Sequence, residues 1–345
     1  MNDGVLVTGA TGFIGSAIVR ALVGEGRTVV ALVQPGVDES GLDGLPVERR
    51  VADLRDPQEV RAAVEGCRTV FHVAALYRFW APDPKTFYAV NVDGTRNVLA
   101  AARDTDVERV VYTSTVGTLG LDAGRPAQER DYPDVGHLFG SYKRSKYVAE
   151  HEVLRAAAEG QPICLVQPTT PIGPGDRAPT PTGRIVLDFL NGRMPGFVDT
   201  ELNVVHVDDV ARGHLHAADK GTQGRSYIVG GENLSLAGVL RELAELTGLP
   251  VPRLRVPHAL AFAAAHVSEL VEGRLLRKPP HVPLEAVRMS TTRMAFDDTR
   301  ARTELGYTSR SARDALADSA RWYLDNGRVK PARAARISAS VPRNR

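Results

Sequence analysis

The chain has 345 residues, of which 43% are hydrophobic and 24% are charged, and its 43 Lys and Arg residues nearly balance its 41 Asp and Glu residues. This composition is typical of a soluble globular protein and excludes disordered, fibrous and collagen-like chains. The two cysteines, Cys67 and Cys164, fit no metal-binding or redox spacing and indicate a reducing compartment.

The net charge of +2 is unevenly distributed along the chain. Residues 328–345 contain six cations and no acid, so the preceding residues carry a net negative charge. Because this segment is rich in small residues, we predict a disordered basic tail, with a peripheral contact to anionic lipid as the alternative. We expect no nucleic-acid partner, since the excess cations do not cluster on a folded face.

The sequence shows neither the layout of a signal peptide nor an apolar run of the ~20 residues that a membrane-spanning helix needs. These observations predict a cytoplasmic protein.

Short β-branched runs alternate with amphipathic stretches through the first half of the chain. The predicted strands cover 5–8, 28–33, 69–74, 109–114 and 163–168, and the predicted helices cover 12–24, 57–65, 85–104 and 141–158. Apolar runs of this length suit strands buried on both faces, and their alternation with helices predicts a Rossmann-type α/β fold with a doubly wound parallel sheet.

Regularity ends near residue 170, which predicts a division of the chain. We expect a dinucleotide-binding core over 1–170, a smaller substrate-binding α/β region over 171–327 with some segments returning to the core, and the tail over 328–345. An apolar stretch at 259–271 predicts a buried helix of the substrate-binding region. A lid that presents an apolar surface to a lipid-like substrate is the alternative.

A spaced-glycine turn, TGATGFIG at residues 8–15, follows the first strand and opens the first helix. Gly9 permits the tight turn, Gly12 lets the backbone approach a pyrophosphate, and Gly15 allows close packing of helix and strand. This context predicts a dinucleotide site. The position that discriminates between cofactors is Gln34, which is neither the acid that favours NAD nor the Arg that favours NADP, so both cofactors stay open. Asp38 and Glu39 are interpreted as solvated loop acids, with a contact to the cofactor ribose as the alternative.

Tyr142 and Lys146 lie four residues apart and therefore share one face of a predicted helix. A free phenol has a pKa of ~10, and lowering it to ~7 requires about 4 kcal/mol of differential stabilisation. A nearby ammonium group and a cationic nicotinamide ring could supply it. Tyr142 would then act as general base in alcohol oxidation and as general acid in carbonyl reduction.

With these motifs in this order, the chain resembles the extended short-chain dehydrogenases/reductases, the NAD-dependent epimerase/dehydratase family, over roughly residues 4–327. Further matching segments are Asp53-Leu54, HVAA at 72–75, NVDGT at 91–95, QPT at 167–169, HVDDVA at 206–211 and ELGY at 304–307. The resemblance implies that Asp53 binds the adenine, and that Lys146 also holds the nicotinamide ribose. It extends the cofactor site to Thr11, Phe13, Ile14, Leu54, Ala74, Ala75, Pro168 and Thr169. It also implies a catalytic hydroxyl at Thr115, with Ser114 as the alternative, and leaves a homodimer open.

Within the family, the chain looks most like the hopanoid-associated group labelled sugar epimerases, and next like dihydroflavonol reductases. Nucleotide-sugar 4,6-dehydratases carry Asp-Glu at the positions of Val116 and Gly117. The absence of both acids here argues against a dehydration reaction. Leu202 stands where nucleotide-sugar epimerases often carry a diphosphate-binding Arg, although Arg184, Arg193 or Arg288 could take over that phosphate.

The resemblance therefore implies an NAD(P)-dependent oxidoreductase that transfers hydride at a carbinol or carbonyl carbon of a small-molecule or lipid-like substrate, with a sugar-like or polyol group of hopanoid metabolism as the expected target. The alternatives are a nucleotide-sugar epimerase without net redox change and a non-catalytic NAD(P)-binding module. We expect no metal site, although five candidate ligands lie close in sequence, because side chains two apart on a helix point to different faces. These are His206, Asp208, Asp209, His214 and His216.

Overall fold

A computed structural model describes residues 4–121, 124–134, 136 and 138–337. Its strands are β1 Gly4–Thr8, β2 Val29–Val33, β3 Val47–Val51, β4 Cys67–His72, β5 Arg109–Thr113, β6 Ile163–Pro168, β7 Thr170–Ile172, β8 Gly196–Phe197, β9 Glu201–His206, β10 Ser226–Val229, β11 Glu232–Ser235 and β12 Leu254–Arg255. Its α-helices are α1 Phe13–Gly24, α2 Pro57–Val64, α3 Lys85–Tyr88, α4 Gly94–Arg103, α5 Ser141–Ala158, α6 Gly183–Leu190, α7 Val207–Lys220, α8 Leu236–Thr247, α9 His258–Ser268, α10 Leu284–Ser290, α11 Ala312–Asp325 and α12 Pro331–Ile337. Turns of π-helix occupy Ala89–Asp93, Glu269–Leu275 and Ala301–Leu305.

Seven parallel strands form the main sheet, in the order β10-β6-β5-β4-β1-β2-β3. The order reverses direction at β1, as in a doubly wound sheet. The predicted Rossmann-type fold is confirmed. The predicted helix over 85–104 is α3 and α4 joined by the π-helical turn Ala89–Asp93.

Helices cover both faces of this sheet, and alternate residues of one strand serve the two layers. Val5 and Val7 of β1 point into the core that α1 and α7 cover, whereas Leu6 points into the core that α2, α4 and α5 cover. This is the period-two alternation of a strand that is buried on both faces. Because β1, β4 and β5 are parallel neighbours, their carboxyl ends lie at one edge of the sheet. Ligands bind at this edge in folds of this kind.

A second core lies beyond β6. β9 pairs with β7 and β11 in a small mixed sheet, and α6, α8 and α11 contribute to the apolar cluster against it. β10 comes from this half of the chain and joins the main sheet beside β6. The boundary at residue 170 stays a prediction.

The expectation of a disordered tail is wrong for residues 328–337. Residues 331–337 form α12, and Ile337 and Val329 are buried in the second core. The Arg333 guanidinium donates to the Leu190 carbonyl at 2.6 Å, and the Lys330 amide donates to the Asn191 side chain at 2.9 Å. Two apolar anchors and these polar contacts are enough to order a short basic segment. Residues 338–345 lie outside the described residues.

The expectation of a buried helix at 259–271 is also wrong. α9 buries only its small residues Ala261 and Ala265, whereas Leu260 and Val267 are each 62% exposed. The run is apolar on all sides, and a run of this kind does not reveal which side meets the protein. Among the described residues, no helix combines the length and apolar character needed to cross a bilayer.

Candidate active site

The glycine turn lies at the carboxyl edge of β1 and leaves no room for side chains. Gly9 has φ of 65°, and a Cβ there would lie 2.8 Å from the Ala74 Cα. The Gly12 amide donates to the Gly9 carbonyl at 2.9 Å, and a Cβ on Gly15 would overlap that same carbonyl oxygen. These contacts hold the turn and the start of α1 together.

The first turn of α1 can bind an anion. Gly12 is its N-cap, and among the described residues no side chain caps the helix. No acidic residue lies in its first turn. Unpaired amides and a positive helix end attract phosphate. The predicted contacts Thr11, Phe13 and Ile14 belong to this turn, where Thr11 is half-buried.

The adenosine end of the predicted cofactor site lies along β2 and β3. Gln34 directly follows β2 and is exposed. Asp53 follows β3, and the Arg55 guanidinium beside it lowers the pKa of the Asp53 carboxyl. Leu54 is buried, and Ala74 and Ala75 are half-buried beyond β4.

Arg177, a cation that no sequence motif marks, contacts the loop that follows β2. The Arg177 guanidinium donates to the Ser40 hydroxyl at 3.2 Å, in the loop that follows β2. Asp38 in the same loop accepts from the Ser40 amide, and Glu39 pairs with Arg49. Both acids are therefore engaged in contacts within this region. Arg177 lies 137 residues after Ser40 in the sequence, so only the tertiary structure brings the two together.

Lys146 is buried beneath the predicted cofactor site. Its ammonium donates to the Tyr112 phenol oxygen at 2.8 Å and to the Thr113 carbonyl at 2.7 Å. Burial lowers the pKa of Lys146 to about 7, and the negative charge of Glu150, one helical turn later, opposes that shift. The ammonium is thus directed at β5.

Tyr142 lies on the same face of α5, and its ring packs on the Tyr77 ring at a centroid distance of 4.9 Å. Burial raises the pKa of Tyr142, and a hydrogen bond with Thr115 opposes that shift. In the protein alone the phenol therefore stays protonated, contrary to the lowering that a general base requires. The physical reason is that the Lys146 ammonium lies against Tyr112 and Thr113 while the phenol is desolvated.

The two candidates for the third catalytic hydroxyl have different surroundings. Ser114 is buried, and its hydroxyl donates to the Glu150 carboxylate. Thr115 is half-buried, accepts from the Gly117 amide at 3.1 Å and lies beside the Tyr142 phenol. The structure therefore brings Thr115, rather than Ser114, to Tyr142. That Thr115 acts in catalysis stays a prediction.

The remaining predicted cofactor contacts follow β6. Pro168 ends that strand and is buried. The Thr169 hydroxyl oxygen is buried and has no hydrogen-bond partner among the described residues. A buried hydroxyl without a partner ordinarily signals a ligand or water.

Two residues within the recognised motifs position this edge of the sheet, although the sequence analysis assigns them no role. His72 bridges the hydroxyls of Thr8 at 2.8 Å and Thr95 at 3.0 Å, and burial lowers its pKa to about 3, so it is neutral. The Asn91 side chain accepts from the Leu76 amide at 2.7 Å and donates to the Ser145 hydroxyl at 2.9 Å. They tie the segments after β1 and β4 to α5.

Glu285 also reaches this site, and no sequence signal points to it. Gly140 has φ of 83°, and a Cβ there would overlap the Glu285 carboxylate. One of the Glu285 oxygens has no hydrogen-bond partner in the described part of the chain. Burial raises the pKa of Glu285 to about 8.

A cavity of about 500 Å³ lies beside the start of α5. Ser141, the neighbour of Tyr142, lines it together with Phe79, Trp80, Phe87, Arg274 and Arg277. Its walls thus combine aromatic rings with two cations. Through Ser141, the cavity reaches the start of the helix that carries Tyr142.

Of the clustered histidines and acids at the end of β9 and in α7, His216 has a buried Nδ1 with no hydrogen-bond partner among the described residues, and the other four have structural partners. His206 caps α7 through the Asp208 amide at 3.0 Å and bonds Asp318 at 3.2 Å, and His214 bonds the Thr113 hydroxyl at 2.8 Å. Over the described ranges, no three His, Cys, Asp or Glu side chains are grouped so as to hold a metal ion.

Leu202 occupies the position at which nucleotide-sugar epimerases often carry a diphosphate-binding Arg. Its side chain is 5% exposed and belongs to the second apolar core. Arg184 and Arg193 are exposed, and Arg288 stacks over the Phe139 ring at 4.7 Å. None of these three arginines lines the cavity beside Tyr142 among the described residues.

Known proteins resemble this chain along almost its full length. The model of the NAD dependent epimerase/dehydratase family matches residues 5–230. A dihydroflavonol 4-reductase-like protein of Synechocystis sp. is 45% identical over 96% of this chain and 97% of its own length. Sterol demethylase protein B of Methylococcus capsulatus is 37% identical over 94% of this chain and 99% of its own length.

Solved structures show the same likeness. The crystal structure of gox2253 is 44% identical, covers 95% of this chain and 100% of its own, and has a TM-score of 0.85. A nucleoside-diphosphate-sugar epimerase from Pseudomonas aeruginosa is 27% identical, covers 96% and 100% of the two chains, and has a TM-score of 0.79.

Proposed function

The chain belongs to the NAD-dependent epimerase/dehydratase family, the extended short-chain dehydrogenases/reductases, and from that premise we propose that it reduces a carbonyl group of an apolar, lipid-like substrate. Members of this family are NAD-dependent oxidoreductases and epimerases, and the chain is an enzyme of that kind. The observation that carries the proposal is the Tyr142 phenol beside the hydroxyl of Thr115, a residue that follows β5 at the edge where the glycine turn opens.

The residues at the sheet edge fit a dinucleotide. The uncapped start of α1 suits the pyrophosphate, and Gly9 and Gly15 form a cradle that any Cβ would fill. The Thr169 hydroxyl is available as a further contact. A bound nicotinamide would supply or accept the hydride. NAD and NADP both remain candidates, since Gln34 carries no charge.

The catalytic steps then follow from the side chains. Thr115 would donate to the substrate oxygen and orient it, and Tyr142 would give its proton to that oxygen as the carbonyl is reduced. Lys146 would hold the nicotinamide ribose. At neutral pH the Tyr142 phenol is protonated and therefore has a proton to give to the substrate oxygen.

Three aromatic side chains support an apolar substrate. Phe79, Trp80 and Phe87 line the cavity beside Ser141. Flat apolar walls suit a fused-ring or long-chain lipid. The 37% identity to a protein named for sterol demethylation agrees with such a substrate, and a ketone or polyol group on a hopanoid-type lipid is our specific proposal.

A nucleotide-sugar epimerase is the second candidate. Arg274 and Arg277 reach the cavity and could bind a diphosphate, and a solved sugar-nucleotide epimerase is 27% identical. The buried Leu202 opposes it, because that position holds no cation. The two candidates differ in whether nicotinamide is consumed.

The test is turnover of NADH or NADPH by the purified full chain with hopanoid or sterol ketones. Stoichiometric nicotinamide oxidation is expected. Tyr142→Phe keeps the ring against Tyr77 but lacks the hydroxyl, so we expect a 10²- to 10⁴-fold loss of turnover with unchanged NADH affinity. Tyr147→Phe on the same helix is the matched control and should be fully active. Full activity of Tyr142→Phe refutes the mechanism, and an inverted sugar centre with unchanged nicotinamide establishes the epimerase.

A further inference from the structure

An exposed apolar surface lies next to the substrate cavity. α9 and the turn Glu269–Leu275 present six large apolar side chains to solvent, each between 41% and 72% exposed, and we call these six the apolar face: Leu260, Val267, Leu270, Val271, Leu275 and Leu276. The side of α9 that meets the protein carries the small residues Ala261 and Ala265 and the half-buried Phe262. A helix of a soluble protein ordinarily buries its larger apolar residues. Here Phe262 packs inward, whereas Leu260 and Val267 of the same helix face solvent.

The apolar face forms a continuous stripe. α9 runs directly into the π-helical turn, so the chain stays helical from His258 to Leu275. Spacings of seven, three and four residues place Leu260, Val267, Leu270 and Val271 on one side of a helix. An apolar stripe of this extent on a protein surface marks an interaction site.

Cations flank the end of this stripe. Arg274, Arg277 and Lys278 are exposed, and none of them forms an ion pair with any residue that the structure describes. The acids of the same segment are engaged: Glu272 pairs with His281, and Glu269 accepts from the Leu284 amide at 3.1 Å. With Arg274, Arg277 and Lys278 against these two acids, the segment 269–278 is positively charged overall.

We propose that the apolar face docks on an anionic lipid bilayer, with its leucines and valines in the interface and Arg274, Arg277 and Lys278 against lipid phosphates. An apolar stripe with cations at its border is the pattern of helices that lie in the membrane interface. A second copy of the chain would fit this surface poorly. A second copy offers the same apolar face with the same excess of cations, so it supplies no anionic partner for Arg274, Arg277 and Lys278.

Docking would place the substrate cavity at the bilayer. Glu269, Gly273, Arg274 and Arg277 line that cavity, and they belong to the segment that carries the apolar face. A lipid-like substrate could then pass from the bilayer to Tyr142 with little exposure to water. This consequence rests on the proposed function, whereas the docking itself does not.

The test is cosedimentation of the full chain with vesicles of phosphatidylcholine alone or mixed with phosphatidylglycerol. Binding to the anionic vesicles is expected, and it should weaken with salt. A Leu270→Ser, Leu275→Ser, Leu276→Ser triple variant should bind at least about tenfold more weakly. Each cation replaced by Ala should weaken binding about fivefold. Val37→Ser with Val51→Ser removes exposed apolar residues elsewhere and should bind like the wild type.

Several results would overturn the proposal. Absence of binding to anionic vesicles at low salt is one, and equal binding by the leucine variant is another. A wild-type dimer that the leucine variant converts to a monomer, without vesicle binding by either, assigns the face to a second copy instead. Circular dichroism checks that each variant is folded. Turnover of a water-soluble ketone should be unchanged in the leucine variant, and Tyr142→Phe should still bind vesicles, so failure of docking and failure of the proposed function are distinguishable.

Discussion

The Lys146 ammonium donates to the phenol oxygen of Tyr112 at 2.8 Å, on the side of α5 that also carries Tyr142. Tyr112 ends up at this site because β5 and α5 pack together, and its phenol is one of two acceptors for a buried charge. The protonation state of Lys146 therefore depends on a residue outside the Tyr-Lys pair.

Tyr112→Phe should change the pH dependence of the enzyme. Losing an acceptor destabilises the charged ammonium, so the pKa of Lys146 falls further below about 7. If turnover needs the cation, the alkaline limb of the kcat/KM profile moves to lower pH, with about tenfold lower activity above pH ~8 from the loss of one charge-assisted hydrogen bond. The pH profile of both proteins measures this. If Tyr112→Phe lowers the Tm but leaves the pH profile unshifted, Tyr112 contributes only packing and does not affect the protonation of Lys146.

The buried Lys146 should also link stability to pH. The folded state lowers its pKa from 10.5 to about 7, so between these values the unfolded chain binds more protons and the free energy of unfolding rises with pH. Below pH ~7 both states are protonated, and the cost of the buried charge is fully present. Relative to Lys146→Met, the wild type should gain up to a few kcal/mol from pH 7 to 10. Denaturant unfolding at several pH values measures the difference, and parallel curves would contradict the buried cation.

Thr115→Val and Ser114→Ala should have different effects. Thr115→Val removes the hydroxyl beside Tyr142 and should lower kcat about 10²-fold, and loss of the hydrogen bond from the Gly117 amide should cost about 1 kcal/mol of stability. Ser114→Ala removes a donor to the buried Glu150 carboxylate and should cost about 1–2 kcal/mol of stability while most activity is kept. Kinetics and unfolding of both variants decide between the two hydroxyls. The reverse pattern would place Ser114 in the catalytic position.

Gly15→Ala should disrupt the cofactor turn. Its Cβ would overlap the Gly9 carbonyl oxygen, so the turn must move, at a cost of about 1–3 kcal/mol and a large loss of NADH affinity. Gly24 lies in the last turn of the same helix, and a Cβ there would meet no described neighbour within 4 Å. Gly24→Ala should therefore leave NADH affinity unchanged. Calorimetric titration with NADH compares them. Wild-type affinity in Gly15→Ala would remove the turn from the cofactor site.

Gln34→Arg should move cofactor preference towards NADPH. A guanidinium at the end of β2 can bind a 2′-phosphate with a charge-assisted hydrogen bond of about 1.5–3 kcal/mol, or roughly 10- to 100-fold in the ratio of kcat/KM values. Arg177→Ala tests the second cation of this region and should weaken NADPH more than NADH. If neither substitution alters the ratio, the predicted ribose position is wrong.

Local patterns in the sequence determine the fold class of this enzyme and its two recognisable motifs. The alternation of apolar runs and amphipathic stretches specifies the parallel sheet, because periodicity reflects which faces are buried. The glycine turn and the Tyr142–Lys146 spacing depend on neighbours within eight residues, so they are visible without coordinates. The same information predicts where the cofactor contacts cluster, since carboxyl ends of parallel strands meet at one edge.

Only the tertiary structure decides how distant segments meet. Glu285 and Arg177 reach the site from other elements, and Ile337 orders a segment whose composition predicts disorder. The outward-facing Leu260 and Val267 of α9 belong to a run that is apolar on every side, and such a run does not specify its buried side. Burial of the Tyr142 phenol, with the Lys146 ammonium directed at Tyr112, likewise depends on packing, because desolvation is set by all the neighbours of a group and not by its position in the chain.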